Sequence, residues 1–111
     1  MEREAKKLLL DILTSCRAIQ EFTANKSLHD YEQSRLLRSA TEREFEVIGE
    51  ALNRLGKLAA DVAAKISAKD KIISFRNRII HGYDSVDDVI VWSVVQNNLP
   101  ALCKEVEELI G

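Results

Sequence analysis

Residues 48–62 read IGEALNRLGKLAADV, and the spacing of the apolar residues in this stretch decides the fold class. They recur every three or four positions, as residues on one face of an α-helix do, and not at every second position, as in a strand. The stripe consists of Ile48, Ala51, Leu52, Leu55, Leu58, Ala59 and Val62. Similar spacing runs through the rest of the chain, which has only one proline and four glycines. The sequence therefore predicts an all-α protein.

We expect an up-and-down bundle of four helices. The first helix spans about residues 3–24 and is followed by a turn at 25–27. The second and longest helix starts at residue 31 or 33 and runs to residue 62. Ser27 and Asp30 are both candidates for its N-cap, because each side chain can accept a hydrogen bond from a free backbone N–H.

The third helix is expected to start near Ser67. Asp70 follows three residues later, which resembles a capping box, the reciprocal pairing of two side chains with the free N–H groups of a helix start. Gly82 is the natural end of this helix, because glycine is common where helical backbone stops.

The fourth helix is expected to run from a cap at Ser85 to about residue 110, with Asp87 and Asp88 favourably placed in its first turn. Residues 89–95 are rich in valine and isoleucine, as strands are, but a lone strand would leave half of its backbone hydrogen bonds unmade. We therefore expect helix there. Pro100 removes one backbone N–H and is predicted to kink this last helix.

The length of 111 residues predicts a single domain, residues 1–111. No apolar run approaches the ~20 residues of a membrane-spanning helix, and no signal peptide is recognisable, so we expect a cytoplasmic protein without a membrane partner. Cys16 and Cys103 lie on apolar stripes and are predicted to be buried, reduced thiols. The histidines and cysteines show no metal-ligand spacing, so neither a metal nor another cofactor is expected.

The net charge of −2 argues against binding nucleic acid by bulk electrostatics, but the charge is unevenly distributed. Residues 65–83 contain five basic side chains against one acidic side chain, whereas residues 84–111 contain one against six. The positive segment is either a solvated face or part of a site for phosphate.

Residues 76–83, RNRIIHGY, lie in that positive segment and combine a permanent cation with a proton-transfer group. The guanidinium of Arg76 matches the geometry of phosphate. The imidazole of His81 can exchange protons near neutral pH. On a helix the two lie ~140° apart, so they do not meet automatically, and the geometry permits two copies of the motif to complete each other across a dimer.

The spacing Arg76, His81 and Tyr83 resembles the signature of HEPN-domain ribonuclease toxins of the HepT type. Residues 42–51 and the segments 91–92 and 97–100 resemble the same family. The resemblance implies a homodimer, possible larger assembly with an MNT-type nucleotidyltransferase antitoxin, and metal-independent cleavage of RNA. In such a toxin the nucleotidyltransferase transfers AMP to the tyrosine of the motif, which would make Tyr83 the acceptor.

The resemblance gives roles to individual residues, each with a structural alternative. His81 would take the proton of a ribose 2′-hydroxyl and Arg76 would stabilise the phosphate. Asn77 would hydrogen-bond the substrate or orient His81, and Arg78 would contact a neighbouring phosphate. The alternatives are a helix-terminal histidine for His81 and, for Arg76, an ion pair with Glu50 or another acidic residue of the second helix.

Further candidates lie outside the motif. Glu50 either orients Arg76 or forms a surface ion pair, and Arg43 either extends a basic cleft or pairs within its own helix. We expect Gly49 to allow another helix to approach closely. Trp92 lies among valines and is assigned to the core or a dimer interface. The structural alternative for Tyr83 is a tyrosine that caps the end of the bundle.

Two further functions remain open. The chain is either the nuclease or a non-catalytic helical adaptor or nucleotide-binding module for a nucleotidyltransferase. A third possibility is a helical interaction dimer with no connection to nucleotides. Nothing in the sequence resembles a base-reading constellation, so the identity of the RNA stays open.

Overall fold

The computed structural model describes residues 1–82 and 86–111, and these residues contain helices and no strand, which confirms the all-α prediction. The valine-rich segment 89–95 is helical, as expected. The helices of the described residues are α1 (Arg3–Thr23), α2 (Leu28–Gln33), α3 (Arg35–Leu58), α4 (Ala60–Ala63), α5 (Lys69–His81), α6 (Asp88–Asn97) and α7 (Leu99–Ile110).

The bundle is organised around α3, which packs against both α1 and α5. The other side of α1 packs against α7, and α6 packs against α2 and α7. Phe45 of α3 and Phe75 of α5 meet edge to face, with ring centroids 5.1 Å apart, a favourable arrangement for aromatic rings. The helices α1, α3, α5 and the α6–α7 pair thus correspond to the four helices expected from the sequence.

The prediction of one helix from residue 31 or 33 to residue 62 is wrong, because the backbone leaves helical geometry at Ser34 and at Ala59. Ser34 is extended and its hydroxyl accepts the N–H of Leu37 at 3.0 Å, so this serine caps α3. The break at Ala59 ends the apolar stripe early. Leu58, which we expected in the core, is 44% exposed.

The turn after α1 lies where it was expected, and Asn25 has a φ of 61°, which is left-handed backbone. Ser27 and Asp30 both act at the next helix start, but the helix is the short α2. The backbone N–H of Ser27 donates to the Asp30 carboxylate at 2.9 Å, and the Asp30 N–H donates to the Ser27 hydroxyl at 3.1 Å. This pair forms a complete capping box.

The predicted capping box at the start of α5 is absent, because Ser67 lies outside that helix and binds elsewhere. Its hydroxyl donates to the carboxylate of Glu105 in α7 at 3.0 Å, and its backbone N–H donates to the same carboxylate. The N-cap position of α5 is Ala68, whose side chain makes no capping bond. The other end agrees with the sequence, since α5 stops at Gly82.

The start of α6 differs from the prediction as well, because Asp87 is the N-cap and its carboxylate accepts the N–H of Val89 at 2.8 Å. Ser85, the predicted cap, lies outside the described residues. The predicted kink appears as a separation of the last helix into α6 and α7 at Asn98. Pro100 lies in the first turn of α7, where a missing N–H costs little.

Both cysteines are buried and free, as predicted. Trp92 is half-buried, with its ring centroid 5.5 Å from that of the fully buried Tyr31. None of the helices in the described ranges is long and apolar enough to cross a membrane.

Candidate active site

Arg76 projects from α5 towards α3 and is bound by two side chains. One terminal nitrogen of its guanidinium lies 3.0 Å from a carboxylate oxygen of Glu50, and the other donates to Oδ1 of Asn77 at 3.0 Å. The Arg76 side chain is 23% exposed, so its cation is shielded but reachable. Its Nε is buried and has no partner among the described residues.

The close approach of Arg76 to α3 depends on Gly49, which is buried. A Cβ placed on Gly49 would collide with Cβ and Cγ of Arg76. The aliphatic part of Arg76 therefore lies directly on the glycine backbone, which confirms the expectation that Gly49 allows another helix to approach closely. Glu50, the next residue, is placed to bind the guanidinium at the far end of the same side chain.

Arg76 lines a groove of about 470 Å³ between α1, α3 and α5. Its floor is apolar and contains Leu8, Val47, Ala51 and Ile80. Its charged side chains are Asp11, Arg43, Glu46, Glu50, Arg54 and Arg76. The three arginines and three carboxylates give the groove no net charge. Arg43 and Arg76 each form an ion pair with one of these carboxylates.

Arg43 lines the groove and forms an ion pair with Glu46, one turn along α3, at 3.3 Å, which is the structural alternative that we considered for it. Sequence reasoning did not identify Arg54 as a groove residue. Its position held the signal, since it follows Glu50 by four residues and therefore lies on the same face of α3. Asp11 was missed because it belongs to α1, and no local spacing links α1 to this face of α3.

His81 does not line this groove. It is the last residue of α5 and is exposed, and it makes no side-chain hydrogen bond or ion pair within residues 1–82 and 86–111. Asn77, a candidate for orienting His81, is bound to Arg76 instead. Within one copy of the chain, the Arg76 and His81 side chains therefore lie on different parts of the α5 surface.

Arg78 lies on another side of α5, where it lines a depression of about 140 Å³ together with Gly82 and Ile90. Tyr83, the predicted AMP acceptor, lies outside the described residues. A larger depression of about 760 Å³ lies between the end of α1 and the start of α3 and includes Phe22, Lys26 and Leu37. It contains none of the predicted site residues, so we do not assign the site to it despite its size.

Asn77 and Glu50 thus both bind the Arg76 guanidinium, and Arg76 and Glu50 line the groove. The histidine of the motif lies about one turn further along α5, at the helix end. A family model described as ribonuclease HepT-like matches residues 12–109, which include all of α3, α5, α6 and α2. The chain belongs to the HepT-like ribonuclease family. No solved structure matches it significantly.

Individual relatives of this HepT-like chain agree with the family match. A protein of Methanocaldococcus jannaschii named "putative RNase" is 30% identical over 106 residues, which are 96% of each chain. One of Caldanaerobacter subterraneus with the same description is 31% identical over 99 residues, covering 89% of this chain and 88% of the relative. A "probable ribonuclease HepT" of Thermococcus cleftensis is 28% identical over 109 residues, or 98% of both chains.

Proposed function

We propose that this chain is a metal-independent endoribonuclease toxin that cleaves RNA in the cytoplasm. The observation that carries the proposal is that Glu50 and Asn77 hold Arg76 at the groove, about one helical turn before His81, in a HepT-like chain. A guanidinium fixed in this way is suited to stabilising the charge that develops on a phosphate under attack.

In the proposed reaction, neutral His81 accepts the proton of a ribose 2′-hydroxyl, and the oxygen attacks the adjacent phosphorus. The bond from phosphorus to the 5′-oxygen of the next nucleotide breaks, that oxygen takes up a proton from water, and His81 then returns its proton to the solvent. The products are a 2′,3′-cyclic phosphate and a free 5′-hydroxyl. Arg76 binds the non-bridging phosphate oxygens, and Glu50 acts as a positioning residue for Arg76. DNA lacks the attacking hydroxyl and is not a substrate.

The test is incubation of the purified protein with a defined RNA and the matched DNA in EDTA, followed by identification of the fragment ends. His81→Ala and Arg76→Ala should each lower cleavage at least ~100-fold while the circular dichroism spectrum is retained. His29→Ala is the matched control, because His29 is the other histidine of the chain, is exposed and lies in α2. Cyclic-phosphate ends from RNA alone support the proposal.

If the unmodified protein and both variants behave alike in every RNA assay, the alternative function gains weight. The chain would then be a non-catalytic adaptor or nucleotide-binding module for a nucleotidyltransferase. The observation that favours this alternative is the paired state of Arg76, because a guanidinium bound to Glu50 and Asn77 can serve a purely structural purpose.

We further propose that the active form is a homodimer in which the motifs of two copies share a cleft. The separation of Arg76 in the groove from the exposed His81 supports this, since one copy does not bring them into a common cavity. Arg76→Ala and His81→Ala, each inactive alone, should recover part of the activity when mixed and allowed to exchange subunits. No recovery in a mixture shown to exchange would contradict a composite site.

The proposed antitoxin partner is an MNT-type nucleotidyltransferase that silences the nuclease at Tyr83. The tyrosine oxygen would attack the α-phosphorus of ATP, form a phosphodiester with AMP and release pyrophosphate. The added phosphate would compete with RNA near Arg76 and His81. Incubation with the nucleotidyltransferase and ATP should add AMP to the wild-type chain, abolish cleavage, and leave Tyr83→Phe unmodified.

A further inference from the structure

Arg54 differs from the other arginines of the groove because its cation is not neutralised. Arg43 is paired with Glu46 and Arg76 with Glu50, whereas the exposed Arg54 side chain has no hydrogen bond or ion pair to any residue in the described ranges. An exposed guanidinium that no carboxylate holds is available to bind an anion from solution.

The position of Arg54 relative to Arg76 follows from α3. Glu50 and Arg54 are four residues apart on one helix, a rise of ~6 Å. Glu50 contacts the Arg76 guanidinium at 3.0 Å, so the backbone of Arg54 lies about one helical turn beyond the residue that binds Arg76, and both arginines line the groove. Two guanidinium groups at such a separation can hold successive phosphates of one nucleic-acid strand, each by a forked pair of hydrogen bonds.

The surroundings of Arg54 indicate where that strand continues. Arg54 lines the Arg76 groove and also an adjoining depression of about 270 Å³ that contains Lys57 and, among the acidic residues, Glu4. It therefore stands at the junction of two concave surfaces. Asp11 and Glu46 in the groove are each paired with a basic side chain, Lys7 and Arg43, and do not pair with Arg54.

We infer that Arg54 binds the RNA phosphate adjacent to the one held by Arg76 and so positions the strand for cleavage. The inference rests on the proposed nuclease function and adds a residue and a strand path to it. Because Arg54 contacts phosphate and no base, its contribution is independent of the nucleotide sequence. Arg54 binds the ground state and the transition state equally, so its removal should raise KM and leave kcat unchanged.

The test compares cleavage of a short single-stranded RNA by the wild type, Arg54→Ala, Arg54→Lys and Arg35→Ala. Arg54→Ala should raise KM about tenfold with kcat little changed, the usual loss for a charged hydrogen bond. It should also reduce the dependence of log affinity on log salt by roughly 0.7, the value for one phosphate contact on a single strand. Arg54→Lys retains the charge and should recover part of the loss. Arg35 is exposed on the same helix outside the groove, so Arg35→Ala should match the wild type.

Binding of the same RNA to His81→Ala and to the Arg54→Ala/His81→Ala double variant, measured by fluorescence anisotropy, separates the inference from the proposed function. Weaker binding by the double variant supports the role of Arg54 even if the wild type cuts nothing, in which case only the nuclease function fails. Equal KM and equal anisotropy with and without Arg54, in a protein that cleaves RNA, overturn the inference and leave the function intact. A loss in kcat alone, or no RNA binding at all, also overturns it.

Discussion

The position of Arg76 depends on Gly49 of the facing helix α3, which has no side chain. Gly49 leaves room for the aliphatic part of Arg76, and Glu50 binds its charged end. A glycine within a helix costs up to ~1 kcal/mol relative to alanine, because it gains backbone freedom on unfolding. In α3 this cost is offset by the close packing of α5 against the glycine, which sets the depth of the guanidinium in the groove.

Gly49→Ala should therefore displace Arg76, lower the free energy of unfolding by ~1–3 kcal/mol and reduce RNA cleavage strongly. Gly56→Ala in the same helix is the control, because a Cβ there would meet only the flexible end of Lys69, at 3.8 Å. This control should raise stability by ~0.5–1 kcal/mol and leave cleavage unchanged. Urea unfolding and an RNA cleavage assay measure both effects. Equal behaviour of the two variants would show that the Arg76 contact is not needed.

At the residue scale, the sequence predicted three residues that line one groove, whereas His81 and Arg78, predicted for the same site, lie elsewhere on α5. Arg76, Glu50 and Arg43 are all at the groove, and the Arg76–Glu50 ion pair was one of two readings considered. The sequence did not identify Arg54 as a groove residue. It predicted that Asn77 would bind the substrate or orient His81, whereas Asn77 accepts a hydrogen bond from Arg76. Local spacing gives the face of each helix, but the relative rotation of α3 and α5 depends on long-range packing that spacing does not encode.

Among the helices, α5 is held by a contact that replaces its expected cap. Ser67 and Glu105 join the segment before α5 to α7 through the Ser67 hydroxyl and backbone N–H. The sequence predicted that Ser67 and Asp70 would pair locally, because the four-residue pattern of a capping box was present. In the structure Ser67 binds the carboxylate of Glu105, which is distant in sequence. No local sequence pattern identifies such a partner.

Ser67→Ala and Glu105→Ala should each lower the free energy of unfolding by about 1 kcal/mol, the net value of a typical hydrogen bond. The double variant should be clearly more stable than the sum of the two losses predicts, because both changes remove one shared interaction. Ser74→Ala, at an exposed position of α5, is the control. Strictly additive losses, or a loss from Asp70→Ala as large as that from Ser67→Ala, would favour the local capping box.

Glu42 of α3 is in an unfavourable electrostatic environment near α6. Burial raises its pKa, the carboxylate of Asp88 raises it further, and Arg38 partly opposes the shift. Because its pKa is raised in the folded state, this group contributes fully to the stability below the ordinary glutamate pKa of ~4.3. The contribution is lost as the pH rises through the raised pKa. The ionised form therefore destabilises the protein at neutral pH.

Glu42→Gln should raise the thermal midpoint at pH 7 and have little effect at pH 3.5, where the wild-type carboxyl is already protonated. Glu21→Gln, an exposed position of α1, should shift the midpoint by a similar small amount at both pH values. The measurement is thermal unfolding followed by circular dichroism across this pH range. A lower midpoint for Glu42→Gln at neutral pH would mean that the carboxylate is favourably paired, contrary to this account.

On the scale of the whole molecule, the sequence predicted a helical bundle and its four main segments but not the interruptions at Ser34 and Ala59. The helical period was visible because it repeats within a few residues. The short α2 packs against the distant α6, a contact that local spacing does not show. Neither α2 nor α4 contains a proline or glycine that would have predicted a break. The bundle is completed by the contact of α1 with α7, where Arg17 and Glu107 form an ion pair at 2.8 Å.

Cys16 of α1 and Cys103 of α7 lie on opposite sides of this same contact and interact with each other. A hydrogen bond from the Cys16 thiol lowers the pKa of Cys103, and Arg17 lowers it further. The pKa of Cys16 is raised by its interaction with Cys103 and by burial. Cys16 is completely buried and Cys103 is 5% exposed, so a thiol reagent can reach them only after α7 separates from α1.

Both thiols should consequently react with an aromatic disulfide reagent at least ~10³-fold more slowly in the native protein than in urea, as expected for opening by about 5 kcal/mol. Cys103 should react first, because it is slightly exposed and its thiolate forms more readily. The urea dependence of the labelling rate is measured in variants that retain one thiol. In Cys103→Ala, the labelling rate of Cys16 should rise with urea as steeply as global unfolding does. In Cys16→Ala, the labelling rate of Cys103 should rise as steeply or less. A Cys16 rate that is independent of urea would mean that α7 separates locally, and the α1–α7 contact would then not be part of the cooperative core.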